Sequence, residues 1–380
     1  PQPVDARQLP LMRQLRHRMS RPATPDSDAP ALVTMILSQA VRRRASDVHV
    51  EPTSEGYEVR YRVDGLLETG ERYDAAVGRS IVARLMVMAQ LLTYRLDVPQ
   101  EGRLAIPSSD GNGSPNLRLA VMPTTHGLRA AVRLPADLIQ PHALGELSLP
   151  QSVLRGLHRF ADADGGMLLL TGPAGSGKTT TIYALLAHIA HARPGLSIVS
   201  LEDPVERDLP GVTQIEVSPF GELTYERSLR SILRQDPQVL MLGEIRDAAT
   251  ASLAVQAALS GHRLISTLHA ATPAGAIARL LEMGLEPYQI TSALFGVVAQ
   301  RLLRRSDPSG GYRGRAPVAE MVVVDEPLRR AILLRDDADA LRRTYAEQPG
   351  FVSMRQGAGE LIAQGITDNL EVERVLGPLS

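Results

Sequence analysis

The chain has 380 residues, enough for two or three domains of ordinary size, and its 44% hydrophobic and 22% charged residues are typical of a soluble globular protein. The absence of cysteine excludes disulfides, thiol nucleophiles and cysteine-bound zinc, and the formal net charge of −1 gives no general attraction for nucleic acid. No apolar run approaches the roughly 18 residues of a transmembrane segment and no secretory signal is evident, so we expect a cytoplasmic protein whose membrane role, if any, is peripheral.

The N-terminal part predicts an arm followed by a small domain. Residues 1–29 mix proline, arginine, glutamine and serine without a sustained period, which is typical of a flexible arm. Residues 30–138 combine helical and strand patterns, with a hairpin turn at Asp64-Gly65, and indicate an α+β domain. Helices are expected near residues 32–40 and at Val77–Leu92, and strands at Asp47–Glu51, at Tyr57–Val63 and on both sides of the turn Asp110–Pro115.

Beyond a loop-rich linker at residues 139–150, the pattern changes to that of a buried parallel sheet. Short apolar runs without polar alternation are separated by helical stretches such as Thr180–His191, as expected for strands covered on both faces by helices. We therefore expect an α/β core at residues 151–300 and a mostly helical part at 301–380, with a loop at Ser306–Arg315. The predicted core strands are Met167–Thr171, Leu196–Leu201, Val239–Leu242 and Leu264–Thr267, and a second core helix is Ala249–Leu259.

A phosphate-binding loop directly follows the first core strand. The segment Gly172–Thr179 fits the pattern G-x-x-x-x-G-K-[ST] and opens a predicted helix, which is the context that this motif requires. Backbone N–H groups of such a loop surround the β-phosphate, the lysine neutralises phosphate oxygens, and the following hydroxyl binds Mg²⁺. The sequence thus predicts a site for ATP and Mg²⁺ formed by Gly172, Pro173, Ala174, Gly175, Ser176, Gly177, Lys178, Thr179 and the adjacent Thr180.

Lys178 is the chain's only lysine, and every other basic side chain apart from histidine is arginine. An arginine-rich composition indicates a general substitution of arginine for lysine at the surface. At a phosphate site the two differ, because a compact ammonium fits between phosphates where a planar guanidinium does not. The retention of this one lysine inside the loop motif favours a functional role.

The run Val239–Leu242 ends in Gly243-Glu244, the form of a Walker B strand. Such a strand beside the phosphate-loop strand would direct Glu244 toward the γ-phosphate, where it could hold the water shell of the magnesium ion or activate the attacking water. The alternative is an ordinary surface glutamate at a strand end. The phosphate loop favours the functional interpretation.

Two further strand ends carry polar residues, Glu202 within Ser200–Glu206 and His269 within Ser266–His269. In an open α/β sheet, ligands bind at the carboxyl ends of the strands, so these residues are expected to converge on the phosphate loop. Two carboxylates beside a triphosphate would repel it unless a cation lay near. A single histidine is more often structural, and His262 fits that alternative better than His269.

Together these segments resemble the type II secretion and type IV pilus assembly ATPases, the GspE/PilB-like secretion motors. The resemblance extends from the small domain to the end of the α/β core. The matching segments are Ala45–Pro52, Val59–Gly65, Gly172–Thr179, Leu201–Glu206, Leu229–Pro237, Gly243–Asp247, Gly261–His269 and Val298–Leu302.

The resemblance implies a small N-terminal domain joined to a RecA-like ATPase domain, assembled as a homo-hexamer with ATP between the lobes. It also implies partner platform proteins of the inner membrane, and therefore a peripheral location on its cytoplasmic side. By the family motifs Lys178 and Thr179 bind phosphate and Mg²⁺, Glu244 is the Walker B glutamate, Glu202 helps to activate water and His269 senses the γ-phosphate. Four arginines match family positions near the nucleotide: Arg103, Arg118, Arg230 and Arg234.

One departure concerns zinc. Members of the assembly branch usually carry a four-cysteine zinc module after the Ala-Gln-Arg-Leu segment. In this chain the corresponding segment, residues 304–315, is short and contains no cysteine. Zinc is therefore not expected here, while ATP and Mg²⁺ are.

The resemblance favours a motor that powers assembly of a pseudopilus or pilus. A pilus retraction ATPase is the alternative within the same class. A motor acting on nucleic acid is less favoured, because aromatic residues make up only 3% of the chain and few could stack on bases. A non-enzymatic nucleotide-binding scaffold would need the loop but not Glu202, Glu244 or the four arginines.

Overall fold

The structure, a computed structural model, describes residues 28–105, 116–134, 143–217 and 223–378. Most of the predicted arm 1–29, the predicted turn Asp110–Pro115 and the start of the predicted linker lie outside these ranges. The chain divides into two compact units, Pro1–Ile139 and Gln140–Ser380, and the division falls within the predicted linker 139–150. No helix in the described ranges is both long and apolar enough to cross a bilayer.

In its described residues, 28–105 and 116–134, the first unit has a six-stranded antiparallel sheet with two helices. In the sheet the strands follow the order β3-β2-β1-β6-β5-β4. The elements in chain order are α1 (Asp28–Arg43), β1 (Asp47–Thr53), β2 (Gly56–Val63), β3 (Leu66–Tyr73), α2 (Ala75–Met88), β4 (Gln100–Ala105), β5 (Asn116–Thr124) and β6 (Gly127–Arg133).

Strand alternation gives this sheet one apolar face, which packs on α1 and α2. Val48 and Val50 of β1 point into that core, whereas Asp47 and Glu51 point to the other face, where both form ion pairs with arginine. The helix α2 starts where it does because Oδ1 of Asp74 accepts hydrogen bonds from two backbone N–H groups of its first turn, each at 2.9 Å.

The second unit is built on a seven-stranded sheet in the order β13-β12-β7-β11-β10-β8-β9. All neighbours are parallel except β12 and β13. Its elements are α3 (Gln151–Asp162), β7 (Gly166–Thr171), α4 (Lys178–Ala192), β8 (Ile198–Glu202), β9 (Thr213–Glu216), α5 (Tyr225–Ile232), β10 (Val239–Leu242), α6 (Ala248–Leu259), β11 (Arg263–Leu268), α7 (Pro273–Glu282), α8 (Pro287–Ala293), β12 (Leu294–Ser306), β13 (Tyr312–Val323), α9 (Glu326–Leu333), α10 (Ala338–Ala346), α11 (Met354–Ala363) and α12 (Asn369–Leu376).

The central strands are mostly apolar because both faces of the sheet are covered. Met167 and Leu169 of β7 pack with α6 and α7, whereas Leu168 and Leu170 pack with α3 and α4 on the opposite face. The carboxyl ends of the buried strands β7, β11 and β10 therefore lie side by side at one edge of the sheet.

The predicted boundary at residue 300 and the loop Ser306–Arg315 need correction. Strand β12 runs across residue 300 and pairs with β13, so that only a short turn lies between Ser306 and Tyr312. The part from 301 to 380 therefore begins with a hairpin that completes the large sheet, and its helices follow from Glu326 onward. Arginines interrupt the apolar pattern of β12, and its pairing with the distant β7 is not visible in local sequence.

Candidate functional site

The phosphate loop between β7 and α4 has a backbone that only glycine adopts easily. Gly175 and Gly177 have φ angles of 75° and 90°, and Gly172 has 146°. A Cβ at Gly172 would lie 2.5 Å from the carbonyl oxygen of Gln300, and one at Gly177 would lie 2.6 Å from Nε2 of the same residue. The glycines of the motif are therefore required by conformation and by close packing against β12.

Lys178 is the first residue of α4, and its ammonium group turns back over the loop. Nζ donates hydrogen bonds to the carbonyl oxygens of Gly172 at 2.8 Å and Pro173 at 3.0 Å. Burial lowers the pKa of Lys178 below its usual value, the charge of Glu244 opposes this shift, and Arg301 adds to it. The ammonium group is thus a half-buried cation beside the backbone N–H groups at the start of a helix.

The hydroxyl groups around the lysine are available to a ligand to different degrees. Thr179 is exposed in the first turn of α4 and Thr180 is half-buried, whereas Ser176 is buried within the loop. A hydroxyl exposed at a helix N-terminus beside an ammonium group fits the oxygen ligand that Mg²⁺ requires next to phosphate. Among these, Thr179 has the right chemistry and exposure to hold the metal.

Gln300, which the sequence interpretation did not single out, supports the phosphate loop. It lies on β12 and is buried, and its Nε2 donates to the carbonyl oxygen of Ser176 at 2.9 Å. Its Oε1 accepts from the hydroxyl of Thr181 on α4 at 2.9 Å. The neighbouring Arg301 donates to the carbonyl oxygen of Ala271 at 2.9 Å. The only sequence signal for these two residues is the segment Val298–Leu302.

Glu244 lies just after β10 and connects two strand ends. Its Oε1 is 2.9 Å from Nε2 of His269, which follows β11, and its Oε2 accepts from Nε of Arg246 at 2.9 Å. The hydroxyl of Thr267 donates to the carbonyl oxygen of Gly243 at 2.7 Å and ties β11 to this turn. The structure therefore brings Glu244 and His269 into contact, with the His269 side chain 62% exposed.

Glu202 has a different environment from Glu244. It is buried, and its carboxylate accepts hydrogen bonds from the side chains of Tyr183, Ser200 and Gln214. The next residue, Asp203, has a carboxylate oxygen 4.0 Å from the guanidinium of Arg246, the partner of Glu244. At the end of β8, Asp203 rather than Glu202 therefore contacts the Glu244 group.

The four predicted arginines belong to different units of the chain, two to each. Arg103 on β4 and Arg118 on β5 are register partners on the exposed face of the first unit's sheet. Arg230 pairs at 2.8 Å with Glu226 on its own helix, and Arg234 is exposed beyond the end of that helix. Within the described ranges, neither Arg230 nor Arg234 hydrogen-bonds Lys178, Glu202 or Glu244.

Solved structures with the same architecture are ATPases. The Legionella pneumophila ATPase DotB matches with a TM-score of 0.74 at 21% identity, covering 93% of this chain and 97% of that one. The pilus retraction motor PilT with bound ADP matches with a TM-score of 0.63 at 25% identity, covering 89% and 95%. The predicted fold class is confirmed: a small α+β domain is joined to a RecA-like ATPase domain with a C-terminal helical part.

Sequence relatives point to secretion. The chain is 39% identical over 364 residues to the type II secretion system protein HxcR of Pseudomonas aeruginosa, covering 90% of this chain and 76% of the relative. It is 36% identical over 392 residues to the type II secretion system ATPase E of Vibrio cholerae, covering 92% and 76%. Residues 24–374 match the family described as Type II/IV secretion system protein, and the chain therefore belongs to this family of secretion ATPases.

Proposed function

We propose that the chain is the motor of a type II secretion or type IV pilus system, which hydrolyses ATP to power assembly of a pseudopilus or pilus. The observation that carries this proposal is the placement of Glu244 at the carboxyl edge of the sheet that holds the phosphate loop, where its charge acts on Lys178. A cation for phosphate and a carboxylate for the metal or water are the two groups that hydrolysis requires.

The residues of the site have separate roles in the proposed reaction. Lys178 and the loop N–H groups bind the β- and γ-phosphates, and Thr179 and Glu244 would hold Mg²⁺, the latter through water. Bound there, the ion would neutralise charge on the phosphate oxygens. As water oxygen bonds to the γ-phosphorus, the bond from phosphorus to the bridging oxygen of ADP breaks, and the proton of the water passes to a carboxylate. Glu202 is our candidate for that base, and His269, bound to Glu244, senses the γ-phosphate.

Assembly and location follow the same proposal. Arg103, Arg118, Arg230 and Arg234 match the positions that the family uses to offset phosphate charge. We infer a homo-hexamer that acts with platform proteins at the cytoplasmic face of the inner membrane. The relatives named as secretion system proteins, at 34–39% identity, support the assembly role. The retraction role is supported only by the similar fold of PilT.

The test compares two substitutions in the full chain. Lys178→Ala should abolish binding of Mg-ATP, because the loop loses its only ammonium group. Glu244→Gln should keep binding but slow turnover by about 10²–10³-fold, because the phosphate-binding groups remain. Binding is measured by calorimetry and turnover by phosphate release. Arg330→Ala, which removes an exposed ion pair on α9, is the control and should match the wild type. Wild-type turnover in Glu244→Gln would refute the proposed catalytic role.

A further inference from the structure

The carboxylate of Glu202 has a hydrogen-bond donor on each oxygen although its side chain is only 3% exposed. Oε2 accepts from the hydroxyl of Tyr183, and Oε1 accepts from Ser200 at 2.6 Å and from Nε2 of Gln214 at 3.1 Å. These donors offset the cost of burying an ionised carboxylate.

Tyr183 links this carboxylate to the phosphate loop. It lies on α4, the helix whose first residue is Lys178, and its ring is buried between that helix and the sheet. Its hydroxyl donates to Glu202 and accepts a hydrogen bond from the backbone N–H of Glu206 at 3.1 Å. The guanidinium of Arg207 covers the ring at 5.4 Å from its centroid. One phenol therefore ties the phosphate-loop helix to the segment that follows β8.

We propose that Tyr183 is a positioning residue, which together with Ser200 holds the Glu202 carboxylate in one orientation between α4 and β8. This inference rests on the proposed role of Glu202 in hydrolysis. The tyrosine thus connects the helix that begins at Lys178 with the carboxylate that we propose as the base.

Other charged and titratable groups surround Glu202 and are unchanged when the Tyr183 hydroxyl is removed. They come from α5, from β9 and from the segment that follows β8, and the substitution therefore isolates the effect of one donor. These groups are Tyr225 on α5, the register partner Glu216 on β9, Arg207 beside the Tyr183 ring, and the neighbours Asp203 and Glu206.

The test is the steady-state kinetics of ATP turnover in the full chain. Tyr183→Phe keeps the ring and removes the donor, so the carboxylate loses one of the contacts that orient it. The kcat should fall about tenfold, while KM for Mg-ATP stays within about twofold of the wild type. Ser200→Ala removes a donor from the other oxygen and should lower kcat in the same way. It also provides the test should Tyr183→Phe not fold.

Controls separate this inference from the proposed function. Tyr345→Phe removes another buried phenol hydroxyl, on α10, and should leave kcat and KM unchanged. Glu202→Gln should lose turnover. If Glu202→Gln is inactive but Tyr183→Phe and Ser200→Ala keep the wild-type kcat, the positioning role is wrong and the proposed function stands. If Glu202→Gln turns over normally, the proposed role of Glu202 itself is wrong.

Discussion

At the scale of single residues, Gln300 stabilises the conformation of the phosphate loop through its side-chain hydrogen bonds. Its amide satisfies the Ser176 carbonyl and the Thr181 hydroxyl, both in a buried setting. Gln300→Ala leaves both without this partner, at a cost of about 1–3 kcal/mol in the free energy of unfolding. We expect KM for Mg-ATP to rise about tenfold, because the loop is no longer fixed in its binding conformation. Urea denaturation and steady-state kinetics measure the two effects.

Two variants sharpen this prediction. In Gln300→Glu a carboxylate oxygen faces the Ser176 carbonyl and adds negative charge under the phosphates, so nucleotide binding should be weaker than in Gln300→Ala despite the similar size. Gln348→Ala is the matched control, because Gln348 also donates to a backbone carbonyl, that of Val323, but in the C-terminal part. It should lower stability and leave KM unchanged. An unchanged KM in both Gln300 variants would contradict a supporting role.

The motif residues and the supporting residues differ in how well the sequence predicts them. Lys178 and Glu244 could be assigned because phosphate chemistry constrains residue type and spacing locally. Gln300 and Tyr183 act through partners that are distant in sequence, and nothing in their local pattern names those partners. Glu202 could be placed at a strand end, but the direction of its side chain depends on three donors from separate segments.

At the scale of elements, Glu371 fastens the C-terminal helix α12 to β12. Its side chain is 0% exposed and accepts hydrogen bonds from the guanidinium groups of Arg304 and Arg374 and from the backbone N–H of Arg304. Burial alone would raise the pKa of Glu371, but the hydrogen bonds from Arg374 and Arg304 lower it to about 2. The folded state therefore favours the ionised carboxylate.

This contact predicts a specific acid dependence of stability. Because the folded pKa of about 2 lies below the unfolded value of 4.5, the stabilisation is complete above pH 4.5 and is lost as the pH falls toward 2. Glu371→Gln should lower the free energy of unfolding at pH 7 by about 3 kcal/mol, because two arginines lose their counter-charge. The difference from the wild type, measured by urea denaturation, should shrink at pH 3. A difference independent of pH would contradict the ionised pairing.

Element positions were more predictable than element ends. The strand Val239–Leu242 has the predicted bounds, because the ends of this short apolar run are visible in the sequence itself. The helix predicted at Val77–Leu92 spans Ala75–Met88 instead, because Asp74 caps its first turn and Gln90 takes a left-handed conformation just beyond its end. Capping and left-handed residues depend on backbone geometry, which apolar periodicity does not report.

At the scale of the whole molecule, the described phosphate-site contacts of Lys178, Glu244, His269 and Gln300 lie within the second unit. The first unit contributes a sheet whose exposed face carries a row of register partners, Arg62, Asp47, Arg133, Arg118 and Arg103, with Asp47 paired to Arg62 and Arg133. This division places the groups that we propose for the phosphate site in the second unit, and Arg103 and Arg118, which the family resemblance connects with turnover, in the first.

A fragment that begins at Gln140 tests this separation. It should fold and bind Mg-ADP with a Kd within about threefold of the full chain, because the groups that we assign to phosphate binding are all retained. Its turnover should fall at least about tenfold, because Arg103 and Arg118 are missing. Fluorescent nucleotide titration and phosphate release measure the two quantities, and Lys178→Ala in the fragment is the control that should not bind. A folded fragment with full turnover would show that the first unit's arginines are dispensable, whereas strong loss of binding would mean that nucleotide affinity depends on the first unit.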